Sequence, residues 1–388
     1  MTENPRSSAE PDPPRDGMPE KPEPPGTASA SAAASTATAA SASVMASASV
    51  AKKGARQRRV TITDVGTAAG VSTSTVSRVL NGTARVDPEL ARRVQDAVAE
   101  LGYRPNAAAQ GLARGEAGAI GVLVPDLSNP YFPDVLKSVS AVARSNGRRV
   151  MVMESDEDAT SEHELAEDLM RCCDGVLLCS PRMNRAELVD LSMRGHPVVL
   201  VNRIVPGLSL PSVSVDFYGG MTLVCGHLTQ LGHRRVAYLS GPEASWANAE
   251  RIRAFDAAAA FGVDVTVIPC GHTARHGYAA ADAVRDSGVT AVVAYNDLVA
   301  LGAVTALEES GLRVPEDMSV IGCDDISLDD LPSSRRLTTA SLARDELGRQ
   351  AAQTLEALMA ANGDTEPRVI PMELRVRHTS APPAVSAH

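Results

Sequence analysis

From Ala119 onward, short apolar runs alternate with amphipathic stretches of helix length, and this alternation limits the folds open to the chain. The first series of runs is AIGVLV, RVMVM, DGVLLC and PVVLV, and the second is RVAYL, TAVVAY and SVIGC. Strands joined by helices are typical of parallel sheets, because each crossover helix covers a sheet face. The two series therefore predict a two-lobed α/β domain with parallel sheets. We expect a ligand in the crevice between the lobes, where strand carboxyl ends face each other.

Three short helical patterns precede this domain and predict a small all-α head. The first opens at Thr61 with the spacing of a capping box, in which the Thr61 hydroxyl caps the Asp64 amide. Its pattern ends at Gly70, which supplies a turn. The second helix begins after Ser72 as its N-cap, and the third runs from the segment Asp87-Pro88-Glu89 to Gly102.

The second helix separates apolar from polar positions. Val76, Val79 and Leu80 fall on its inward side at helical spacing. The outer side is small, polar and basic, and it carries Thr73, Ser74, Ser77, Arg78 and Asn81.

Charge is unevenly distributed along the chain. The formal net charge is −10, yet the segment from Lys52 to Gly115 has eleven Lys and Arg side chains against five Asp and Glu. This segment is suited to contact phosphate, while the acidic remainder is not. The charge pattern thus favours nucleic acid as a partner of the head.

The first 58 residues differ in composition from the rest of the chain. A stretch rich in Pro, Glu and Asp leads into the tract TASASAAASTATAASASVMASASVA, which lacks the large apolar side chains that offset ordering entropy. We predict a disordered extension over residues 1–58, with a helix in the alanine-rich tract as the less favoured alternative.

Neither an export signal nor a membrane span is predicted. The amino terminus carries Pro and mixed charges where a secretory signal needs a basic start and an apolar stretch. Apolar runs such as Gly118 to Val124 are far shorter than the roughly 20 residues of a spanning helix. We therefore expect a cytoplasmic protein with no membrane partner.

Catalytic and metal chemistry find little support in the residue pattern. The histidines at 227, 233, 272 and 276 have no partner at metal-ligand or triad spacing, and neither G-x-S-x-G nor a Gly-rich phosphate loop is present. The six cysteines lack zinc or disulfide-framework spacing, so we predict reduced core thiols. They are Cys172, Cys173, Cys179, Cys225, Cys270 and Cys323. We predict a non-enzyme without cofactor or metal; an enzyme or a transport-type binding protein on the same fold is the competing class.

Most of the chain resembles the LacI/GalR family of bacterial transcriptional regulators. The head matches in VTITDVGTAAGVSTSTVSRVLNGTARVDPELARRVQDAVAELGYRPNAAAQGLARG, and the larger domain matches in IGVLVPDLSNPYF, DGVLLCSP, VVLVNR, GHLTQLGHRRVAYLSGP, YNDLVALG, VPEDMSVIGCDD and LTT. The resemblance extends from about Val60 to Val376. It implies a helix-turn-helix head at 59–105, a hinge at 106–117, and an effector-binding and dimerisation domain of periplasmic-binding-protein type at 118–388.

The resemblance also implies which residues contact DNA. The helix from Ser72 to Asn81 would lie in the major groove, with Thr73 and Ser74 as the specificity pair. Arg78 is long enough to donate two hydrogen bonds to a guanine. Phosphate contacts are expected from Thr75, Ser77, Asn81 and Arg85.

In similar proteins, the segment matching Asn106 to Arg114 folds into a hinge helix on the operator. Leu112 matches the residue that wedges into the minor groove. This chain departs from the pattern at Gly111, beside the wedge residue. Glycine costs about 1 kcal/mol relative to alanine inside a helix, so this hinge helix is harder to form. The hinge is therefore expected to order only with DNA and the partner hinge.

Ten family positions around the interlobe cleft are candidate effector contacts. Their amides and carboxylates suit the hydroxyl groups of a sugar-like polyol, and an aromatic face suits the apolar side of a ring. They are Asn129, Tyr131, Phe132, Arg203, Asp216, Trp246, Asn248, Asn296, Asp297 and Asp324. The family usually has an arginine where this chain has Ala249, a second departure. Packing between lobe and helix is an equally weighted interpretation of Trp246.

The predicted mechanism is a homodimer that places two heads on a pseudo-palindromic operator. Closure of the cleft on a ligand would change how the lobes position the hinges. Ligand binding that releases DNA and ligand binding that promotes it are both compatible with the residues. A repressor head joined to a domain that no longer senses a ligand is a third possibility.

Overall fold

A computed structural model describes residues 60–81, 86–103, 117–326, 337–361 and 366–384. The predicted extension, Arg85, Asn106 and Leu112 lie outside these ranges. The chain forms two compact units that divide between Gly102 and Tyr103.

The first unit contains three helices, α1 (Ile62–Ala69), α2 (Thr73–Asn81) and α3 (Pro88–Leu101). The predicted capping box is confirmed, because the Thr61 side chain accepts from the Asp64 amide and the Asp64 carboxylate accepts from the Thr61 amide. The predicted Asp87 cap accepts from two amides at the start of α3. Gly70 and Gly102 end their helices with left-handed backbone at φ of 65° and 60°.

A very small core holds these helices together. Val65, Val76 and Val94 supply one fully buried side chain from each helix. The Arg93 guanidinium donates to the main-chain carbonyl of Ala69 and so ties α3 to the end of α1. The inward face predicted for α2 is confirmed at Val76.

The second unit alternates strands and helices over most of its length. In chain order its elements are β1 (Ala119–Val124), α4 (Tyr131–Ser145), β2 (Arg149–Glu154), α5 (Ala159–Cys172), β3 (Gly175–Cys179), α6 (Arg185–Met193), β4 (Val198–Val201), β5 (Ser212–Val215), α7 (Phe217–Leu231), β6 (Arg235–Ser240), α8 (Trp246–Ala258), a 3-10 turn (Ala259–Phe261), β7 (Asp264–Pro269), α9 (Ala274–Ala279), α10 (Ala281–Asp286), β8 (Ala291–Ala294), α11 (Asp297–Glu309), β9 (Ser319–Asp324), β10 (Thr338–Ser341), α12 (Arg344–Met359), β11 (Arg368–Ile370) and β12 (Glu373–Arg375).

The strands form two six-stranded sheets, one for each lobe. The first has the order β11-β5-β4-β3-β1-β2 and the second β12-β10-β9-β8-β6-β7. Every recorded pairing is parallel except that of β10 with β12. The chain passes between the sheets three times in strand order. The predicted two-lobed architecture with parallel sheets is thereby confirmed, although β5, β7 and β10 to β12 were not among the predicted strands.

Burial on both sheet faces explains the unbroken apolar runs. In β1, Ile120 and Val122 join one apolar cluster, whereas Ala119 and Leu123 join another. Successive strand side chains point to opposite faces, so both faces of this strand need apolar residues. Within the described ranges, no helix has the length and apolar character that a membrane crossing requires.

The contact between α9 and α11 depends on glycine. A Cβ at Gly302 would clash with the carbonyl of Ala274, and a Cβ at Gly277 would clash with the carbonyl of Val299. We expect Gly302→Ala to lower the free energy of unfolding by about 1–3 kcal/mol, as overpacking does. Chemical denaturation measures this change.

Gly226 in α7 is the matched control. It is exposed, and a Cβ there would meet nothing within 4 Å. Gly226→Ala should raise the free energy of unfolding by about 0.5–1 kcal/mol through helix propensity. Equal effects of the two substitutions would contradict the close packing of α9 on α11.

Candidate nucleic-acid interface and ligand cavity

The start of α2 presents a hydroxyl-rich surface. Thr73 and Ser74 are exposed, as is Arg78 one turn further along. The Ser72 hydroxyl accepts from the Thr75 amide at 3.2 Å and lies 2.8 Å from the Ser74 hydroxyl and 3.0 Å from the Thr75 hydroxyl. This network caps the helix and holds its first turn in a defined orientation.

The remaining predicted DNA contacts are placed differently. Thr75 and Ser77 are half-buried, so they are less accessible than the exposed group on α2. Asn81 is the last residue of α2, but its side chain lies outside what the structure describes, as do Arg85, Asn106 and Leu112.

A polar cavity lies within the second unit, between its two lobes. The first lobe lines it with Asn129, Tyr131, Phe132, Glu157, Ser180, Arg182 and Asn202. The second lobe lines it with Phe217, Ala247, Arg251, His272, Tyr295 and Asp324. Four of the ten predicted effector residues, namely Asn129, Tyr131, Phe132 and Asp324, are therefore brought together.

Three cavity residues occupy left-handed backbone at the carboxyl ends of strands. Ser180 has φ of 48° after β3, Asn202 has φ of 55° after β4, and Asp324 has φ of 106° at the end of β9. Such conformations cost non-glycine residues of order 1–3 kcal/mol and cluster at ligand sites. The turn at Asn202 lets its amide donate to the Tyr131 hydroxyl, which orients both groups along the cavity wall.

Arg251 is the central cation of the second-lobe wall. Its guanidinium lies 4.5 Å from the centroid of the Phe217 ring and 4.8 Å from that of Tyr295, and Nη2 lies 3.2 Å from Cys323 Sγ. The side chain is buried, and among the described residues its Nε and Nη1 have no hydrogen-bond partner. An acceptor from a ligand would satisfy these donors.

Helix α8 supplies an arginine to the cavity at Arg251, two residues after Ala249. Ala249 is exposed, so its position faces away from the cavity. Ala247 and Arg251 are one helical turn apart, both line the cavity, and Arg251 supplies the guanidinium. The cavity therefore does not lack an arginine from this helix, whichever residue stands at the family position.

An ion pair lies in the first-lobe wall. Arg182 Nε and Nη2 donate to Glu157 at 2.6 and 2.9 Å, and Nη1 donates to the Ser180 carbonyl at 2.8 Å. Glu162 accepts from the backbone amides of Arg182 and Met183 at 2.5 and 2.7 Å, and burial raises the pKa of its carboxyl. The guanidinium is thus held rigidly, and a bidentate pair of this kind fixes direction as well as charge.

Two buried carboxyl groups lie at the ends of the second-lobe strands. Burial raises the pKa of Asp324 to about 6, although Arg251 and Arg344 oppose the rise. Asp297 accepts from the Thr339 hydroxyl at 2.7 Å and the Ile326 amide at 2.9 Å. Burial and the nearby Asp324 raise the pKa of Asp297 to about 8. Asp297 thus binds groups of Thr339 and Ile326 inside the fold, and it is not among the residues that line the cavity.

Two predicted effector residues are helix caps. Asp216 accepts from the Gly219 amide at 2.8 Å at the start of α7, and Asn296 accepts from the Val299 amide at 2.9 Å at the start of α11. One carboxylate oxygen of Asp216 and the amide oxygen of Asn296 are therefore used inside the fold.

Three further predicted residues also lie outside the cavity lining. The Arg203 guanidinium donates to a main-chain carbonyl at 2.7 Å. The Asn248 amide oxygen accepts from the Tyr238 hydroxyl at 2.7 Å. Trp246 packs edge-on against Phe217 with ring centroids 6.2 Å apart, which agrees with its packing interpretation.

Nine lining residues were missed from the sequence. Several directly follow a predicted apolar run, as Ser180 follows DGVLLC and Asn202 follows PVVLV, and this position was the available signal. The full set is Glu157, Ser180, Arg182, Asn202, Phe217, Ala247, Arg251, His272 and Tyr295.

A capped helix-turn-helix unit and a two-lobed domain with a polar cavity define a ligand-responsive DNA-binding regulator. Residues 61–106 match the family described as bacterial regulatory proteins of the lacI family. Residues 117–377 match the family described as periplasmic binding proteins and sugar binding domain of the LacI family. The chain belongs to the LacI family, and it is a transcriptional regulator.

Known proteins resemble the chain over most of its length. The transcriptional regulator GalS of Salmonella typhimurium is 36% identical over 315 residues, which cover 76% of this chain and 92% of GalS. A lac repressor dimer bound to operator and the anti-inducer ONPF has a TM-score of 0.76 and 26% identity, covering 84% of this chain and all of that one. A LacI family regulator from Enterococcus faecium with bound ribose has a TM-score of 0.61 and 28% identity, covering 68% and 99%.

Proposed function

We propose that this regulator is a cytoplasmic homodimer that represses transcription from a pseudo-palindromic operator and responds to a sugar-like effector. The observation that carries the DNA-binding part is the capped α2, whose exposed Thr73, Ser74 and Arg78 form one small surface. The similar lac repressor is a dimer on its operator, and two-fold symmetry of a protein matches two-fold symmetry of its site.

The residues of α2 have distinct proposed roles. Thr73 and Ser74 contact base edges, and Arg78 donates two hydrogen bonds to a guanine. Phosphates are held by Thr75, Ser77, Asn81 and Arg85, the hinge at 106–117 includes Asn106, and Leu112 is the minor-groove wedge. The head at 59–105 and the effector-binding and dimerisation domain at 118–388 complete the proposed organisation.

The effector is proposed to bind in the interlobe cavity. Asn129, Tyr131, Phe132 and Asp324 remain proposed contacts. Arg251 joins them because two of its buried donors have no acceptor in the part of the chain that the structure describes. Amide, hydroxyl and carboxyl groups beside aromatic rings suit a polyol, and a similar regulator binds ribose. The unpartnered donors favour this over a domain that has lost its ligand.

Selection of binding sites from random duplex DNA tests the proposal with the full-length protein at a stated salt concentration, since phosphate contacts depend on ionic strength. We expect a motif with two inverted half-sites and a flexible central step. Binding without sequence preference, even at low salt, would refute the operator proposal.

Arg78→Ala should weaken binding to the selected site by about 10- to 100-fold and relax the preference at one base pair in each half-site. The reason is the loss of two hydrogen bonds to one base. Titration by fluorescence anisotropy and a repeated selection measure the two effects.

Arg92→Ala is the matched control for charge. Arg92 is an exposed arginine on α3 that pairs with Glu89 at 2.6 Å. Its removal should leave the selected sequence unchanged. If Arg78→Ala also selects the wild-type sequence, then Arg78 reads no base.

A further inference from the structure

The Cys172 thiol lies close to two other sulfur atoms at one edge of the first sheet. Cys172 is the last residue of α5 and Cys173 follows it. Their Sγ atoms are 4.0 Å apart. Met151 lies on β2, the edge strand of the sheet, and its Sδ is 3.4 Å from Cys172 Sγ. Cys172 is exposed and Met151 is 39% exposed, whereas Cys173 is buried, so an ion from solvent meets Cys172 and Met151 first. The prediction that the cysteines are core thiols is wrong for Cys172.

The separations from Cys172 Sγ, 3.4 Å to Met151 Sδ and 4.0 Å to Cys173 Sγ, are close to those between sulfur ligands of one metal ion. With metal–sulfur bonds of about 2.3 Å, two sulfurs of a trigonal site lie roughly 4 Å apart. The Cys172–Cys173 separation already matches this value, and the Met151 side chain is unbranched and has three rotatable bonds with which to adjust.

The nearby carboxylates are already engaged. Asp174 accepts from the Gly118 amide at 2.8 Å and pairs with Arg148 at 2.6 Å. Asp168 pairs with Arg171. The open ligands are thus soft thiol and thioether sulfur rather than the oxygen that hard cations require.

We propose that Met151, Cys172 and Cys173 bind a thiophilic monovalent metal ion, Cu(I) being the ion that two thiolates and a thioether select. Thioether sulfur distinguishes this set from the Cys, His and carboxylate ligands of zinc. The site lies outside the interlobe cavity and does not depend on the effector proposal.

Competition with the Cu(I) chelator bicinchoninate, under anaerobic reducing conditions, tests the site in the full-length protein. We expect the wild type to take up one Cu(I) per chain. Cys172→Ser should weaken this uptake by on the order of 100-fold, and the volume-conserving Met151→Leu by about 10-fold, since even outer-shell changes reduce metal affinity by 10- to 100-fold. Cys270→Ser, at a half-buried thiol in the segment after β7, should retain wild-type uptake.

Several results would overturn the proposal. Failure of the wild type to compete with bicinchoninate would exclude a site of useful affinity. Equal uptake by Cys172→Ser would place the ion elsewhere, and unchanged affinity in Met151→Leu would remove the thioether from the site. Far-ultraviolet circular dichroism checks that each variant is folded, which the exposed position of Cys172 favours.

Discussion

Arg251→Met is expected to weaken effector binding by at least about 100-fold while leaving operator binding intact. Two buried donors of Arg251 have no partner among the described residues, so a bound ligand would supply the acceptors. Hydrogen bonds to a charged group contribute about 1.5–3 kcal/mol each, and two such bonds exceed the roughly 2.7 kcal/mol that corresponds to 100-fold. Methionine retains apolar contact with Phe217 and Tyr295 but donates nothing.

The measurement begins with a sugar panel that includes ribose and cellobiose, screened by the rise in Tm of the wild type. Isothermal titration of the best ligand then compares the wild type with the variant. Arg253→Met is the control, because Arg253 lies on the same helix, is exposed and pairs with Glu250 at 2.6 Å. Only the Arg251 variant should lose affinity.

Loss of Arg251 should also raise the pKa of the Asp324 carboxyl. The guanidinium lowers the pKa of the Asp324 carboxyl, which burial alone would raise further.

An unchanged effector affinity in Arg251→Met, with the wild type binding normally, would place the effector away from this wall of the cavity.

Asp297→Asn is expected to stabilise the protein above pH 8 and to reduce the pH dependence of its stability. The pKa of Asp297 is raised to about 8 in the folded protein, against about 3.9 in an unfolded chain. The stabilising contribution of the protonated group is fully present below about pH 4 and is lost as pH rises through 8. At about 1.4 kcal/mol per pKa unit, the loss is of order 5 kcal/mol.

Asparagine is neutral at every pH and nearly isosteric with the carboxyl. Its oxygen can accept from the Ile326 amide and its nitrogen can donate to the Thr339 hydroxyl, the two groups that Asp297 now contacts. Urea denaturation at pH 5, 7 and 9 should therefore show a gap between variant and wild type that widens in favour of the variant as pH rises.

Asp256→Asn is the matched control, since Asp256 is exposed on α8. It should leave the pH profile of the wild type unchanged. A profile for Asp297→Asn that runs parallel to the wild type would show that Asp297 is ionised in the folded protein at neutral pH.

Local signals in the sequence predicted the elements well. Thr61 with Asp64, and Asp87 before proline, mark helix starts, because a cap is formed by residues three or fewer positions apart. The apolar runs of β1, β3 and β4 mark strands because both faces of these strands are buried. The strands that were missed are short, or polar as in Ser212–Val215, or half-exposed as in Asp264–Pro269.

The cavity was predicted less completely, because a polar residue at the start of a helix has two possible roles. Asp216 and Asn296 match family positions, yet their oxygens cap α7 and α11. Asn202 and Arg203 are neighbours, and only the first lines the cavity. Asn202 has a left-handed φ. Asparagine adopts this conformation more readily than most residues, but that preference is statistical and does not fix the backbone angle at one position.

The sequence by itself determined the helical head, the two-lobed parallel architecture and the family, since these depend on periodicity, capping residues and motifs that are local along the chain. Only the tertiary structure decided which side chains face the cavity and which sulfurs meet. Arg251 lies between Phe217 and Tyr295, and Met151 beside Cys172, because folding joins segments more than twenty residues apart. Those contacts depend on strand order and backbone angles, which no local pattern specifies.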